Sequence, residues 1–444
     1  MNQSNHPVDV LILGGLVVTM DAPGTVIEDG AVAIRGSDIV DVGLTSALSR
    51  RYQENAHQVI DAGGRIVMPG LVNAQTRGAE TLFRGLLDDL PVESSEERLA
   101  ELETEFANPE SARTGALLAY AQMIRGGTTT ALDASWFPES SAEAAKEIGF
   151  RLVTGPTWFD SSTIDGLGSV ERNQQGREFM QQYRRDPLVT PCVLPHSAYT
   201  VSPSQLEQAR ALAEEFGCLI SIKVAETQVE VGKVFEQYRR RPAEHLDRLG
   251  MLGPRTLLTH CVHLDRGEID MLSDRRGVIV HCPVSNLKQG SGIAPLPGWR
   301  RAGVRVGLGT DGAASSSDLD MWWSLRMTGI LHKGVHLDPA LITSREVVSM
   351  ATRGNAAALG KGDEIGSIET GKRADIILLR IDQPHGVPLY DAYSYLAYSA
   401  GRGDVETVMI HGQIVLQNGQ LATVDETETL AEARALADKI RAVA

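Results

Sequence analysis

The chain is poor in aromatic residues and in positive charge. The shortage of positive charge argues against two classes of binding partner. Aromatic residues make up only 5% of its 444 residues. Lys and Arg total 42 against 57 Asp and Glu, which gives a formal net charge of −15. Because such an excess of negative charge repels phosphate backbones and anionic lipid surfaces, we expect no nucleic-acid partner and no membrane partner.

Cysteine is also scarce, and the four cysteines are widely separated. They are Cys192, Cys218, Cys261 and Cys282, and none belongs to a C-x-x-C pair. This spacing is neither a disulfide framework nor a zinc-ribbon pattern. The first ten residues, MNQSNHPVDV, lack the basic, apolar and small-residue succession of a signal peptide. These features favour a reduced, cytoplasmic protein.

The chain has the composition of a globular protein, with 42% apolar and 22% charged residues. Its two ends share one texture, in which short β-type runs alternate with Gly and Asp turns. Residues 1–65 contain VDVLILGGLVVTMD and AVAIRGSDIVDVG, and residues 365–444 contain GSIETGKRADIILLR and VETVMIHGQIVLQNGQ. Such runs predict strands and hairpins. We therefore expect both ends to pair into one small β-sandwich domain.

Residues 66–364 show a different pattern, in which apolar strands alternate with amphipathic helices. The eight strand candidates are GLVNAQT, GTTTALDA, FRLVTGPTWF, LVTPCVLPHS, CLISIKVAE, TLLTHCVHL, GVIVHCPVS and VRVGLGTDG. Eight buried strands in this alternation predict an α/β fold of the (β/α)8 TIM-barrel type. Strand count alone does not prove closure, so an open doubly wound sheet is the alternative.

Polar residues stand at the ends of six of these strands. They are Gln75 and Arg77, His196, Lys223 and Glu226, His260 and His263, His281, and Asp311. The C-terminal ends of the strands of a parallel barrel meet at one face, where such barrels carry their chemistry. A single strand histidine is more often a satisfied core residue, whereas polar residues at six strand ends together indicate an active site.

Seven ordered runs carry a resemblance to a known family. They are PGLVNA (69–74), PHSAYTVSP (195–203), AET (225–227), THCVHL (259–264), HCPVSNLK (281–288), SGIAP (291–295) and GTDG (309–312). In this order and spacing they resemble the cytosine-deaminase-like, chlorohydrolase and adenosylhomocysteine-deaminase branch of the amidohydrolase superfamily. The resemblance spans nearly the whole chain, including the split β-sandwich.

Members of that branch are similar in holding one divalent metal with a His-x-His on the first strand, a histidine on the fifth and an aspartate on the eighth. The metal lowers the pKa of a bound water, while the aspartate and a fifth-strand glutamate move protons. By this resemblance, Glu226, His260 and Asp311 match the glutamate, a sixth-strand histidine and the aspartate. His196 and His281 match residues that orient the substrate.

The chain departs from the family where the metal would be held. Gln75 and Arg77 replace the His-x-His, and Lys223 replaces the fifth-strand histidine. Residues two apart on a strand face the same side, so Gln75 and Arg77 both project toward the site. We therefore expect no metal and no cofactor. Our hypothesis is that Arg77 and Lys223 replace the charge of the metal, facing the carboxylates of Asp311 and Glu226.

In this mechanism Asp311, assisted by His260, is the general base, and the two cations stabilise developing negative charge. One alternative makes Lys223 a neutral amine that forms an imine, which requires burial and Arg77 to lower its pKa. Another alternative is a buried ion-pair network in a pseudoenzyme.

Two further features bear on the substrate. An aromatic cluster follows the strand ends and predicts a wall for a flat substrate, with Trp158 as a contact, although core or interface positions are the alternative. The cluster consists of Trp136, Trp158, Phe159, Trp322 and Trp323. Arg84 lies in a segment that resembles the substrate side of the family. The following VESSEERLAELETEF replaces the family's Trp-Leu signature, which indicates an unusual substrate.

The sequence as a whole predicts a metal-independent enzyme with a small-molecule substrate, assembled as a homodimer or homotetramer. Hydrolysis of a C–N bond in a small cyclic or heteroaromatic compound is the favoured reaction, by analogy of fold. A lyase or isomerase that abstracts a proton and expels an anion is the second interpretation, because neither step needs a metal-bound hydroxide. A non-catalytic binding protein is the third.

Overall fold

The computed structural model describes residues 7–160 and 164–443. Residues 1–6, on which part of the signal-peptide prediction rests, lie outside the described residues. The outer ends of the predicted sandwich ranges, 1–65 and 365–444, lie outside them as well. Strand β5 (Arg65–Pro69) crosses the predicted domain boundary at residue 66.

The remaining strands fall into three groups along the chain. The first group is β1 (Val8–Val18), β2 (Val26–Arg35), β3 (Asp38–Leu44) and β4 (Ala56–Asp61), which precede β5. The central group is β6 (Leu71–Thr76), β7 (Thr128–Asp133), β8 (Arg151–Thr154), β9 (Thr157–Trp158), β10 (Val189–Pro191), β11 (Leu194–Pro195), β12 (Ile220–Val224), β13 (Thr256–His260), β14 (Val278–His281) and β15 (Arg305–Leu308). The last group is β16 (Ile376–Arg380), β17 (Val405–Ile410), β18 (Gln413–Gln417) and β19 (Gln420–Leu421).

Helices alternate with the central strands and also occur at both ends. They are α1 (Thr45–Tyr52), α2 (Val92–Phe106), α3 (Pro109–Arg125), α4 (Pro138–Ile148), α5 (Ser169–Tyr183), α6 (Pro203–Phe216), α7 (Gln228–Tyr238), α8 (Pro242–Arg248), α9 (Arg266–Arg275), α10 (Pro283–Lys288), α11 (Leu296–Arg301), α12 (Ala313–Ser316), α13 (Met321–His336), α14 (Ser344–Ser349), α15 (Asn355–Ala358), α16 (Ala392–Tyr398) and α17 (Glu426–Arg441). Short 3-10 turns cover Gln53–Asn55, Ala79–Phe83 and Arg402–Asp404, and a π turn covers Met350–Gly354.

Local sequence sets several of these helix starts. The Asn108 side chain accepts hydrogen bonds from two backbone N–H groups at the start of α3. Thr343 and Glu346 form a reciprocal capping box at the start of α14. Both devices satisfy N–H groups that have no partner within the helix.

Strands from the two ends of the chain form one nine-stranded sheet, as predicted. Strand β16 pairs antiparallel with β5, which joins β17, β18 and β19 to β1, β2 and β3, while β4 pairs with β1. The joining strands bury apolar residues from both ends, including Val67 and Ile376, in one cluster. The separate domain composed from both chain ends is therefore present.

The central strands form a closed barrel of eight parallel strand positions. The third position consists of β8 and β9, and the fourth of β10 and β11. Parallel bridges from Val193 to Ile220 and from Ser197 to Lys223 connect the fourth position to β12. The barrel closes where the backbone N–H groups of Thr310 and Asp311 donate to the Gln75 carbonyl at 3.1 and 3.0 Å. The open doubly wound alternative is therefore wrong, and the barrel prediction is confirmed.

The part of the chain that the structure describes contains neither a membrane-spanning helix nor a disulfide bond. Within residues 7–160 and 164–443, no helix is both long enough and apolar enough to span a membrane. All four cysteines are free thiols.

A buried ion pair connects the barrel to the composite sheet. Arg151 at the start of β8 donates through Nε and Nη2 to the two carboxylate oxygens of Asp375, at 2.7 and 2.9 Å. Both side chains are 2% exposed. We expect Arg151→Met to lower the free energy of unfolding by about 3–5 kcal/mol, because it leaves Asp375 buried without its cation. Urea unfolding measures this effect.

The matched control is Arg177→Met, whose partner Glu215 lies on the surface with half of each side chain exposed. An exposed pair contributes about 0–1 kcal/mol. Equal losses in the two variants would contradict a special role for the buried pair.

Candidate active site

A cavity of about 130 Å³ lies at the C-terminal ends of the barrel strands, under helix α2. Six of the ten predicted site residues line it: Gln75, Arg77, His196, Lys223, Glu226 and Asp311. The remaining four, His260, His281, Arg84 and Trp158, do not. The face of the barrel that the strand-end pattern indicated is thus the face that carries the cavity.

Lys223, near the end of β12, lies between two carboxylates. Its Nζ donates to Glu226 Oε2 at 2.9 Å and to Glu96 Oε1 at 2.7 Å. Burial would lower the pKa of Lys223, but Glu226 and Glu96 raise it well above its ordinary value. Lys223 is therefore an ammonium ion, which argues against the imine alternative because that mechanism needs the neutral amine.

Arg77 has a direct partner that the sequence analysis missed. Its Nη1 donates to Glu80 Oε1 at 2.9 Å, and its Nε is buried without a partner among the described residues. A side chain at Gly312 would place Cβ 2.2 Å from Glu80 Oε2, so only glycine leaves room for this carboxylate. The two cations face Glu226 and Asp311 as expected: Lys223 contacts Glu226 directly, and the charges of both cations act on Asp311. Glu80 and Glu96 are additional partners of the two cations.

Asp311 is nevertheless held as a carboxylate. Burial would raise its pKa, but the charges of His260, Arg77 and Lys223 lower it below the ordinary value. Ser285 Oγ adds a hydrogen bond to Asp311 Oδ2 at 2.8 Å. The backbone φ of Asp311 is +62°. Residues other than glycine seldom adopt this left-handed conformation outside functional sites and turns.

His260, the last residue of β13, is fully buried behind the cavity. Its Nδ1 lies 2.8 Å from Asn286 Oδ1 and 3.6 Å from Glu226 Oε1. Because an amide oxygen accepts hydrogen bonds, Nδ1 carries a proton that it donates to Asn286. Nε2 has no partner among the described residues.

His196 is a neutral group on the cavity wall. Burial, Lys223 and Arg77 lower its pKa well below the ordinary value. Its Nδ1 lies 2.8 Å from Thr200 Oγ1, and its ring packs against Phe159 with centroids 4.9 Å apart. These contacts fix the ring plane of an imidazole that can exchange neutral hydrogen bonds with a ligand.

Three predicted substrate contacts do not reach the cavity. Trp158 is 0% exposed and belongs to the barrel core, whereas the next residue, Phe159, lines the cavity. Arg84 is exposed and bonds to Gln122. His281 is buried with its ring edge-on to Trp299 at 5.9 Å, and burial lowers its pKa to about 3. These three residues therefore lie outside the wall of the cavity.

Helix α2 supplies the site residues that the sequence analysis missed. Val92, Glu96, Leu99 and Glu103 follow the helical spacing of one face, and all four line the cavity. The signal was present in the sequence as two glutamates on the apolar stripe of an amphipathic helix. We had interpreted this segment only as a departure from the family.

Four hydrogen bonds hold α2 to the barrel. Thr227 donates to Glu93 at 3.2 Å, Lys223 donates to Glu96, and Trp136 Nε1 donates to Glu103 Oε2 at 3.2 Å. Tyr199 adds a further bond to Glu96, at 2.8 Å. Polar contacts from the cavity floor thus fix the position of the helix above it.

The donor set does not fit the zinc ion that the resemblance implies. Zinc is bound by imidazole, thiolate and carboxylate groups, which offer lone pairs. At the three replaced positions, Arg77 and Lys223 are cations without a lone pair, and Gln75 offers an amide. Across the two described segments, no three His, Cys, Asp or Glu side chains are grouped so as to hold a metal ion.

The fold and the site define a class of protein, and the comparisons agree with it. The sequence model of the amidohydrolase family matches residues 66–415. The chain belongs to the amidohydrolase family. The expectation of an amidohydrolase-like hydrolase of C–N bonds is confirmed at this level.

Similar proteins cover nearly the whole chain. A 5-methylthioadenosine/S-adenosylhomocysteine deaminase of Syntrophobacter fumaroxidans is 38% identical over 98% of both chains. The crystal structure of an adenosine deaminase from Xanthomonas campestris with bound zinc has a TM-score of 0.96, with 37% identity over 99% of this chain and all of the other. Atrazine chlorohydrolase TrzN from Arthrobacter aurescens, complexed with zinc, has a TM-score of 0.88, with 25% identity over 96% of this chain and all of the other.

Proposed function

We propose that this chain hydrolyses the bond between a ring carbon and its amino group in a small heteroaromatic compound, and that it does so without zinc. Relatives named as deaminases of adenosine and of 5-methylthioadenosine support the reaction and an aminopurine-like substrate. The cationic side chains at positions 77 and 223 support the metal-free form. In this proposal Asp311, His260, Glu226, Lys223 and Arg77 carry the chemistry.

The observation that carries the proposal is the ionised Asp311 carboxylate in a cavity that admits a ligand. Asp311 accepts a proton from water, and the oxygen adds to the ring carbon that bears the amino group. The same proton then passes to the nitrogen, and the carbon–nitrogen bond breaks to release ammonia. Water and substrate thus give a ring carbonyl and ammonia, with no oxidant or reductant.

Fixed charges supply the stabilisation that this reaction needs. Addition of hydroxide places negative charge on the ring, and the Lys223 ammonium lies in the cavity wall to offset it. Neutral His196 and the amide of Gln75 complete the wall as groups that orient the ring. Burial of these groups strengthens each interaction, because less water screens the charges.

The test combines product labelling with metal analysis. Wild-type protein, purified without chelators, is incubated with 5-methylthioadenosine in oxygen-18 water. We expect ammonia release, one labelled oxygen in the product, less than one metal ion per several chains, and unchanged turnover after chelation. The zinc-containing Xanthomonas campestris enzyme is the positive control for the metal measurement.

Each measurement tests a different part of the proposal. Stoichiometric zinc or iron, with turnover lost on chelation, would reject the metal-free form. A product without the label would reject hydrolysis and favour the lyase or isomerase interpretation.

A further inference from the structure

Glu103 is a buried carboxyl group that the proposed reaction does not use. It lies on the cavity face of α2 and is 9% exposed. Glu80 and Arg77, on the turn that follows β6, are the charged groups that act on it. On its remaining side Trp136 Nε1 donates to its Oε2 at 3.2 Å.

The balance of charge around Arg77 leaves one carboxyl group without a cation. The carboxylates of Glu80, Asp311 and Glu103 all interact with the Arg77 guanidinium. Glu80 holds the direct contact with Arg77, and Asp311 is also stabilised by His260 and Lys223. Glu103 accepts the Trp136 hydrogen bond, and the charge of Arg77 acts on it without a direct contact. A buried carboxyl group in that position takes up a proton.

The raised pKa of Glu103 agrees with this geometry. Burial, followed by the charge of Glu80, raises its pKa to about 8. At pH 7 the group is mostly a neutral carboxylic acid. Because Oε2 accepts the Trp136 hydrogen bond, the proton resides on Oε1.

We propose that Glu103 recognises the substrate as a neutral carboxylic acid, donating a hydrogen bond from Oε1 to a ring nitrogen or carbonyl oxygen of a flat heteroaromatic ligand. The inference rests on the proposed function for the class of ligand. A carboxylate at this place would repel the lone pair of such an acceptor, whereas the acid donates to it. Trp136 and Phe159, with ring centroids 6.2 Å apart, wall the same part of the cavity for a planar ring.

The main experiment follows the protonation state and the KM together, with 5-methylthioadenosine as the probe. Infrared difference spectra between pH 7 and pH 9 should show loss of a carboxylic-acid carbonyl band in the wild type. This band should be weaker by one carboxyl group in Glu103→Gln, where the remaining signal comes from Glu230, whose pKa burial raises to about 7. The KM of the wild type should rise about tenfold from pH 7 to pH 9, because ionisation at about pH 8 removes the donor. Glu103→Gln, which is neutral at every pH and keeps an N–H donor, should show a KM that does not change between pH 7 and pH 9.

Glu105→Gln is the matched control, since Glu105 is an exposed glutamate on the same helix. It should keep both the infrared band and the rise in KM. The inference is overturned by a wild type without the band, by a band of undiminished intensity in Glu103→Gln, or by a KM profile that the substitution leaves unchanged. The infrared result requires no turnover. Absence of ammonia release therefore counts against the proposed function, and absence of the band counts against the inference about Glu103.

Discussion

Replacing Asp311 with asparagine should lower kcat by about 10³-fold and leave the KM for a heteroaromatic amine nearly unchanged. The amide has the same shape and still accepts the hydrogen bond of Ser285, but it cannot take a proton from water. Ammonia release measures kcat, and calorimetric titration with 5-methylthioadenosine shows whether binding persists.

The control for this substitution is Asp270→Asn, which changes an exposed carboxylate on α9 that pairs loosely with Arg266 at 3.8 Å. It should leave kcat unchanged. Full activity in Asp311→Asn would remove Asp311 as the base and would favour the pseudoenzyme or binding interpretation.

Replacing Lys223 with methionine should lower the free energy of unfolding by about 3–5 kcal/mol and abolish turnover. Methionine fills a similar volume but leaves Glu226, which is 4% exposed, without its cation, and it also removes the contact with Glu96. Urea unfolding and ammonia release report the two effects separately. Lys439→Met, on the exposed face of α17, is the control for loss of a lysine.

A double substitution tests whether the stability lost in Lys223→Met comes from the unpaired carboxylate of Glu226. In Lys223→Met/Glu226→Gln both members of the ion pair are neutral, so most of the lost stability should return. Turnover should stay lost, since the cation that offsets negative charge on the ring is still absent. If the double variant regained both stability and turnover, Lys223 would have no part in the chemistry.

The strand pattern was sufficient to predict the barrel face and six of the residues that line the cavity. Gln75 and Arg77 both reach the cavity, as the side-chain period of two predicts, although Arg77 lies one residue beyond the end of β6. The same rule failed at Trp158, because the third barrel position is interrupted between β8 and β9. There Gly155 packs its backbone against Cys192, and a Cβ at residue 155 would lie 1.8 Å from the Cys192 carbonyl oxygen. The interruption changes which side chain points inward.

Two partners of the cations could not be predicted from the strands. Glu80 comes from a 3-10 turn, and Glu96 comes from a helix that crosses the barrel mouth. Neither contact follows from local periodicity, because each depends on how a loop returns over the barrel. The charges of the site and the facing of Lys223 toward Glu226 could therefore be predicted, whereas the contacts of Arg77 with Glu80 and of Lys223 with Glu96 could not.

The position of Lys223 also links the site to the helix above it. Its ammonium group connects the floor of the cavity to Glu96 on α2, so a mutation to histidine would remove one of the polar contacts of the helix in the same step that created a metal ligand. Glu96 would keep the hydrogen bond from Tyr199. Installing an imidazole at position 223 would therefore loosen the wall of the cavity in which the imidazole has to act.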